Sequence, residues 1–66
     1  MGKKIKIARI LADKTQEQLS KETGISKEYI SMLERGITKN PSLEVMKKLS
    51  YALDISVIDL FFDDEN

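Results

Sequence analysis

The side chains that could do chemistry in this sequence are lysines, carboxylates and hydroxyls, because its 66 residues include no cysteine and no histidine. Without histidine the chain lacks the commonest general base and the commonest metal ligand. Without cysteine it has neither thiolate metal sites nor disulfides. Carboxylates alone can bind a hard cation, but no D-x-D-x-D-G loop is present. We therefore expect no catalysis, no metal and no cofactor, and a site that works through hydrogen bonds and charge.

One short stretch, GISKEYISMLERG from Gly24 to Gly36, carries the most varied set of such groups. Ile30 and Leu33 repeat at helical spacing and predict its buried side. The same period turns four chemically different side chains outward: Lys27, Glu28, Ser31 and Met32. A face of this kind can donate and accept hydrogen bonds and also contact apolar groups of a partner.

Helix start signals along the chain predict the elements that hold this face. Thr15 and Gln18 form a capping box, and single hydroxyl caps follow at Ser26, Ser42 and Ser56. Apolar spacing between these signals predicts five helices, at about 2–13, 16–23, 27–35, 43–53 and 57–62. The expected core positions are Ile30, Leu33, Leu43, Met46, Leu49 and Leu53.

A four-residue turn, Thr23 to Ser26, separates the second and third predicted helices. So short a turn forces a steep crossing, which needs small residues where the helices touch; Ser20 and Gly24 meet that need. This is the geometry of a helix-turn-helix, whose second helix enters the major groove of DNA.

The zero net charge hides a segregation along the chain. Residues 1–48 hold all 11 basic residues and six acidic ones, whereas residues 49–66 hold five acidic residues and no basic one. This pattern predicts a basic face and an acidic end with a short tail at 63–66, unless folding intermixes the charges. The length fits one domain, 1–66. No signal-peptide core or membrane-spanning run is present, so we expect a cytoplasmic protein.

The segment TQEQLSKETGISKEYISMLERG resembles the lambda-repressor-like helix-turn-helix family, of the phage repressor/Cro or Xre type. NPSLEVMKKLSYALDISVIDLF continues the match through the rest of that five-helix domain. The resemblance covers about residues 2–62. It implies a compact all-α domain whose helices 2 and 3 form the helix-turn-helix, and a bacterial or phage transcriptional regulator, a repressor, that binds specific double-stranded DNA.

The resemblance also implies roles for individual residues. The base-reading positions match Lys27, Glu28, Ser31 and Met32. The phosphate-binding positions match Gln16, Tyr29, Arg35, Thr38, Lys39, Asn40 and Ser42. Arg9 and Glu34 match a pair that commonly forms a partly buried salt bridge. The chain departs from the usual pattern at three positions, Asp13, Lys14 and Lys27, and the departure at Lys27 leaves operator preference open.

Several of these residues have a second interpretation. Lys27 could be a solvated charge on a first helical turn, and Met32 could be exposed without contacting a base. Glu28 could accept from cytosine N4 or repel phosphate. Because the net charge is zero, a protein-interaction module, such as an antitoxin or anti-repressor, is the alternative function.

Apolar residues outside the predicted core predict a homodimer on a palindromic operator, with a protein antagonist as a further possible partner. Ile58, Phe61 and Phe62 form the expected interface on the last helix, with Ile7 and Ile10 as a second patch. Asp63, Asp64 and Glu65 would form its polar rim. The alternative is one enlarged core, in which the last helix packs over the first.

Overall fold

Five helices make up the part of the chain that the structure, a computed structural model, describes: residues 2–62. They are α1 (Gly2–Leu11), α2 (Gln16–Thr23), α3 (Lys27–Glu34), α4 (Leu43–Leu53) and α5 (Val57–Phe61). Within these residues there is no strand. The predicted all-α five-helix class is confirmed, and the predicted helix ends differ from the observed ones by at most two residues.

Hydroxyl caps begin four of these helices. The Thr15 oxygen accepts from the backbone N–H of Gln18, and the Gln18 side chain accepts from the backbone N–H of Thr15, which completes the capping box. The three serine caps accept in the same way from the third residue beyond them: Ser26, Ser42 and Ser56. Each cap satisfies a backbone donor that the helix itself cannot use.

Each of the four segments that connect the helices contains one left-handed residue. Gly24 and Gly36 have φ of 77° and 78°, as their positions predicted. Asp13, with φ 63°, stops α1 two residues before the predicted end. Asp54, with φ 58°, ends α4 and was not predicted to do so, since aspartate marks this conformation less reliably than glycine.

One core joins all five helices, and its largest fully buried side chains are Ile5, Leu19, Ile30, Leu33, Leu49 and Leu60. The prediction that Leu43 is a core residue is wrong, because its side chain is 56% exposed. At 3.6 residues per turn, Leu43 lies roughly 100° around α4 from the line through Leu49 and Leu53. Met46 is only half-buried.

Backbone and side-chain hydrogen bonds together fix the turn between α2 and α3. The Gly24 N–H donates to the Ser20 carbonyl at 2.8 Å, while the Ser20 hydroxyl donates to the Ile25 carbonyl. The buried Thr23 hydroxyl donates to Leu19 O and accepts from the Ile25 N–H. The turn between α2 and α3 is therefore held by polar contacts of Ser20 and Thr23.

Candidate nucleic-acid interface

The exposed side of α3 and the start of α2 together line one shallow groove. Its lining residues are Gln16, Lys27, Glu28, Ser31, Met32 and Arg35. All four predicted base-reading residues and two of the predicted phosphate-binding residues therefore share a surface. The groove offers cations, a carboxylate, an amide, a hydroxyl and a thioether within reach of one partner.

The loop after α3 is hydrogen-bonded to the C-terminal end of that helix. The backbone N–H groups of Ile37 and Thr38 both donate to the Met32 carbonyl, at 2.9 and 3.3 Å. Lys39 and Asn40 follow and line a neighbouring recess with Pro41, Met46, Phe61 and Phe62. The predicted phosphate-binding loop is thus fixed by its backbone to the C-terminal end of α3.

Two other predicted phosphate-binding residues have surroundings of a different kind. The Ser42 hydroxyl caps α4 by accepting from Val45 N at 3.2 Å, and its residue is exposed. Tyr29 is half-buried and packs against the core, outside the groove. The DNA contacts of both residues stay predictions.

Arg9 and Glu34, the pair that the resemblance implied, form a bidentate ion pair between α1 and α3. Arg9 Nε lies 2.7 Å from Glu34 Oε2, and Arg9 Nη2 lies 3.1 Å from Oε1. The exposed fractions of the two side chains are 11% and 2%. Parallel charge-assisted bonds of this type fix geometry strongly, so the pair sets the position of α1 against α3.

The Glu34 carboxylate also binds the Gln16 side chain, a contact that the sequence did not predict. Gln16 Nε2 donates to Glu34 Oε1 at 3.0 Å. Because a carboxylate only accepts, this contact fixes which end of the amide points inward. The Gln16 carbonyl and its second N–H are then left for the groove. The two residues lie 18 positions apart in sequence, and no local pattern connects them.

Lys14 makes a second set of long-range contacts that the sequence did not indicate. Its Nζ donates to Glu22 Oε1 at 2.6 Å and to the Ala52 carbonyl at 2.9 Å, while its own carbonyl accepts from Arg9 Nη1 at 2.8 Å. Lys14, which departs from the usual family pattern, therefore links the α1–α2 connection to α2 and α4.

The start of α1 lies directly against the end of α3. A Cβ atom on Gly2 would be 2.5 Å from the Leu33 carbonyl oxygen and 2.7 Å from that of Glu34. Such a distance is too short for any side chain, so glycine permits the approach. This contact, with the Arg9–Glu34 pair, holds α1 along one side of the recognition helix.

Two kinds of site are absent from residues 2–62. No group of three or more acidic, histidine or cysteine side chains could hold a metal ion. No helix in this range is long and apolar enough to cross a membrane.

A family model described as helix-turn-helix matches residues 5–60 of the chain. The chain belongs to this helix-turn-helix family. It is 38% identical over 61 residues to the HTH-type transcriptional regulator SlrR of Bacillus subtilis (strain 168), a match that covers 92% of this chain and 40% of SlrR. It is 35% identical over 57 residues to the regulator SinR of the same organism, covering 86% of this chain and 51% of SinR.

A solved structure and a relative of similar length give the same result. The structure of a SinR protein/SinI protein complex matches with a TM-score of 0.88 and 36% identity, over 97% of this chain and 60% of that one. An uncharacterized HTH-type transcriptional regulator of Archaeoglobus fulgidus is 37% identical over 65 residues, covering 98% of this chain and 90% of its own length. The chain spans about half the length of the SlrR and SinR proteins it matches.

Proposed function

We propose that this chain is a DNA-binding module of a transcriptional regulator, and that it represses by reading base edges in the major groove with α3. The observation that carries this proposal is the single groove into which Gln16 and the outward side chains of α3 converge. The names of the relatives, HTH-type transcriptional regulators, support it. The proposal includes residues 1–66 acting as one unit, in the cytoplasm, without catalysis.

The groove residues have distinct chemical roles in this proposal. Lys27 donates to guanine O6 and N7 or to a phosphate, and Glu28 accepts from cytosine N4. Met32 contacts a thymine methyl group, while Ser31 bonds to either kind of edge. Gln16 donates to a phosphate at one side of the groove. Phosphate contacts of this kind set the register in which the base contacts are made.

Selection of bound sequences from random duplex DNA tests the proposal. We expect enrichment of a short motif, together with binding that weakens steeply as salt rises. If no motif is enriched and binding to duplex DNA is undetectable at low salt, the DNA-reading function is wrong.

That outcome would favour a second candidate, a protein-interaction module such as an antitoxin or anti-repressor. The zero net charge and the carboxylate of Glu28 in the groove favour this alternative, since both weaken attraction to phosphate. The SinR protein/SinI protein complex is a matching fold bound to a protein. A protein antagonist is therefore also compatible with the DNA-binding proposal.

We further propose a homodimer through α5 on a palindromic operator. Ile58 and Phe62 are 68% and 60% exposed. Phe61 packs against the core, so it supports the interface from below. Ile7 and Ile10 on α1 are exposed as well. Two copies on a two-fold axis would read half-sites roughly 34–36 Å apart. The predicted acidic rim, Asp63 to Glu65, lies outside the described residues.

A further inference from the structure

We propose that Lys6 on α1 is a further phosphate-contacting residue, so that the DNA interface extends beyond the helix-turn-helix and the loop that follows it. This inference rests on the proposed function, because it assigns one more contact to the same duplex. It follows from how α1 lies against α3.

Lys6 lies on the edge of α1 that faces the end of α3. Gly2, four residues before it, is in close contact with the Glu34 backbone, and Arg9, three residues after it, binds the Glu34 carboxylate. Residues at these spacings share one side of a helix. Lys6 is therefore between two residues that touch Glu34, and it is itself exposed.

The corresponding edge of α3 belongs to the recognition face. Glu34 follows Ser31 by three residues and Lys27 by seven, which places all three along one side of α3. Gln16 joins this edge through its bond to Glu34. Lys6, Gln16 and the groove residues Lys27 and Ser31 thus lie on one outer surface of the molecule.

A helix in the major groove has a phosphate strand on each side, because the groove is only about 12 Å wide. The loop containing Thr38 and Lys39 follows the C-terminal end of α3, where its backbone binds the Met32 carbonyl. On the side of α3 next to α1, Gln16 is uncharged, and the charge of Arg9 is already neutralised by Glu34. Lys6 supplies a cation to that side. Its long flexible stem carries a compact charge that can reach a phosphate without a fixed geometry.

Salt-dependent binding of the full chain to duplex DNA tests this role, with Lys6→Ala compared against Lys47→Ala. Lys47 is the matched control because it is an exposed lysine that lines a different groove, at the α4–α5 corner. The slope of log K against log salt is negative, and one lost phosphate contact reduces its magnitude by about 0.9. We expect that change for Lys6→Ala, with binding roughly 5- to 10-fold weaker near 0.1 M salt for all sequences alike.

Lys6→Arg should restore the slope, and Lys47→Ala should leave it at the wild-type value. Thermal unfolding of each variant shows whether the fold is intact. An unchanged slope in Lys6→Ala, or equal losses in Lys6→Ala and Lys47→Ala, would overturn the assignment while leaving the DNA-binding function in place. A wild-type chain that binds no duplex with a measurable slope would overturn both.

Discussion

The junction of α1, α2 and α3 differs sharply from the corner between α4 and α5. At the junction the buried Glu34 carboxylate accepts three N–H groups from Arg9 and Gln16. At the corner the buried Ser50 hydroxyl has no hydrogen-bond partner within residues 2–62. The junction is fixed by polar contacts between distant parts of the chain.

The corner depends instead on local backbone bonds and apolar burial. Asp54 adopts its left-handed conformation, and the Ile55 N–H donates to the Ser50 carbonyl at 3.1 Å. Leu53 and Leu60 are buried beneath it, while apolar side chains of α5 stay exposed. The comparison indicates that polar contacts fix the geometry most tightly around α3, and that the other end keeps apolar side chains exposed, as the proposed dimer requires.

Breaking the junction should have the largest effect. Glu34→Ala or Arg9→Ala leaves one buried charge without its partner, a change that costs about 3–5 kcal/mol of unfolding free energy. The double variant Arg9→Ala, Glu34→Ala should lose less than the two single losses together, because neither charge remains. Urea unfolding measures all of these variants.

Glu34→Gln provides a milder version if the alanine variant does not fold. Its side chain keeps the shape of glutamate and one acceptor, so the loss should be smaller than for alanine. Additive losses in the double variant would show that the ion pair does not couple α1 to α3.

Removing apolar surface at the end of α5 should weaken dimer formation by about 1.5–3 kcal/mol, the value of burying one large side chain. We expect Phe62→Ala to shift the protein toward monomer in sedimentation at micromolar concentration. Tyr51→Ala removes an aromatic side chain on α4 that is more exposed still, and should not shift it. A wild-type chain that is monomeric both free and on a palindromic duplex would rule out the dimer.

Substitutions in the groove should separate base reading from phosphate binding. Lys27→Ala should change base preference, with roughly 1–3 kcal/mol of discrimination at stake for a good bidentate contact, and Met32→Ala should change it too. Lys39→Ala should weaken binding to all sequences alike and reduce the magnitude of the slope of log K against log salt by about one. Competition binding against single-base variants of the selected motif measures both effects. The placement of α3 would be wrong if Lys39→Ala alone changed one base preference.

The smallest expected change is in the free energy of unfolding, for a substitution at the corner between α4 and α5. Ser50→Ala removes a buried hydroxyl that lacks a partner in the described part of the chain, so stability should be unchanged or rise by about 1 kcal/mol or less. Thr23→Val is the control, since it removes a buried hydroxyl that makes two hydrogen bonds, and it should destabilise. Equal losses in the two thermal unfolding curves would show that Ser50 has an unrecognised partner.

Most of the fold could be predicted because its signals are local. The capping box at Thr15 and the turn at Gly24 act within a few residues, and they locate the helices without knowledge of the rest. Leu43 was placed wrongly because two successive steps of three residues, from 43 to 46 to 49, turn it roughly 100° away from the line through Leu49 and Leu53.

The site could be predicted only in part, for the same reason. Helical periodicity identified the outward side chains of α3, and the family resemblance supplied their roles. The bond from Gln16 to Glu34 and the reach of Lys14 to the Ala52 carbonyl depend on tertiary packing. Nothing within a few residues of either partner signals those contacts.

The separation between Arg9 and Glu34 has a consequence for folding kinetics. The four hydroxyl caps each close over three residues, whereas this ion pair spans 25. Closing the longer loop costs more entropy, so local helix starts should form before the pair does. Contacts absent from the transition state affect mainly the unfolding rate. We therefore expect variants that lack the pair to unfold faster while their folding rate hardly changes. In a chevron plot the unfolding limb should rise and the folding limb should stay in place.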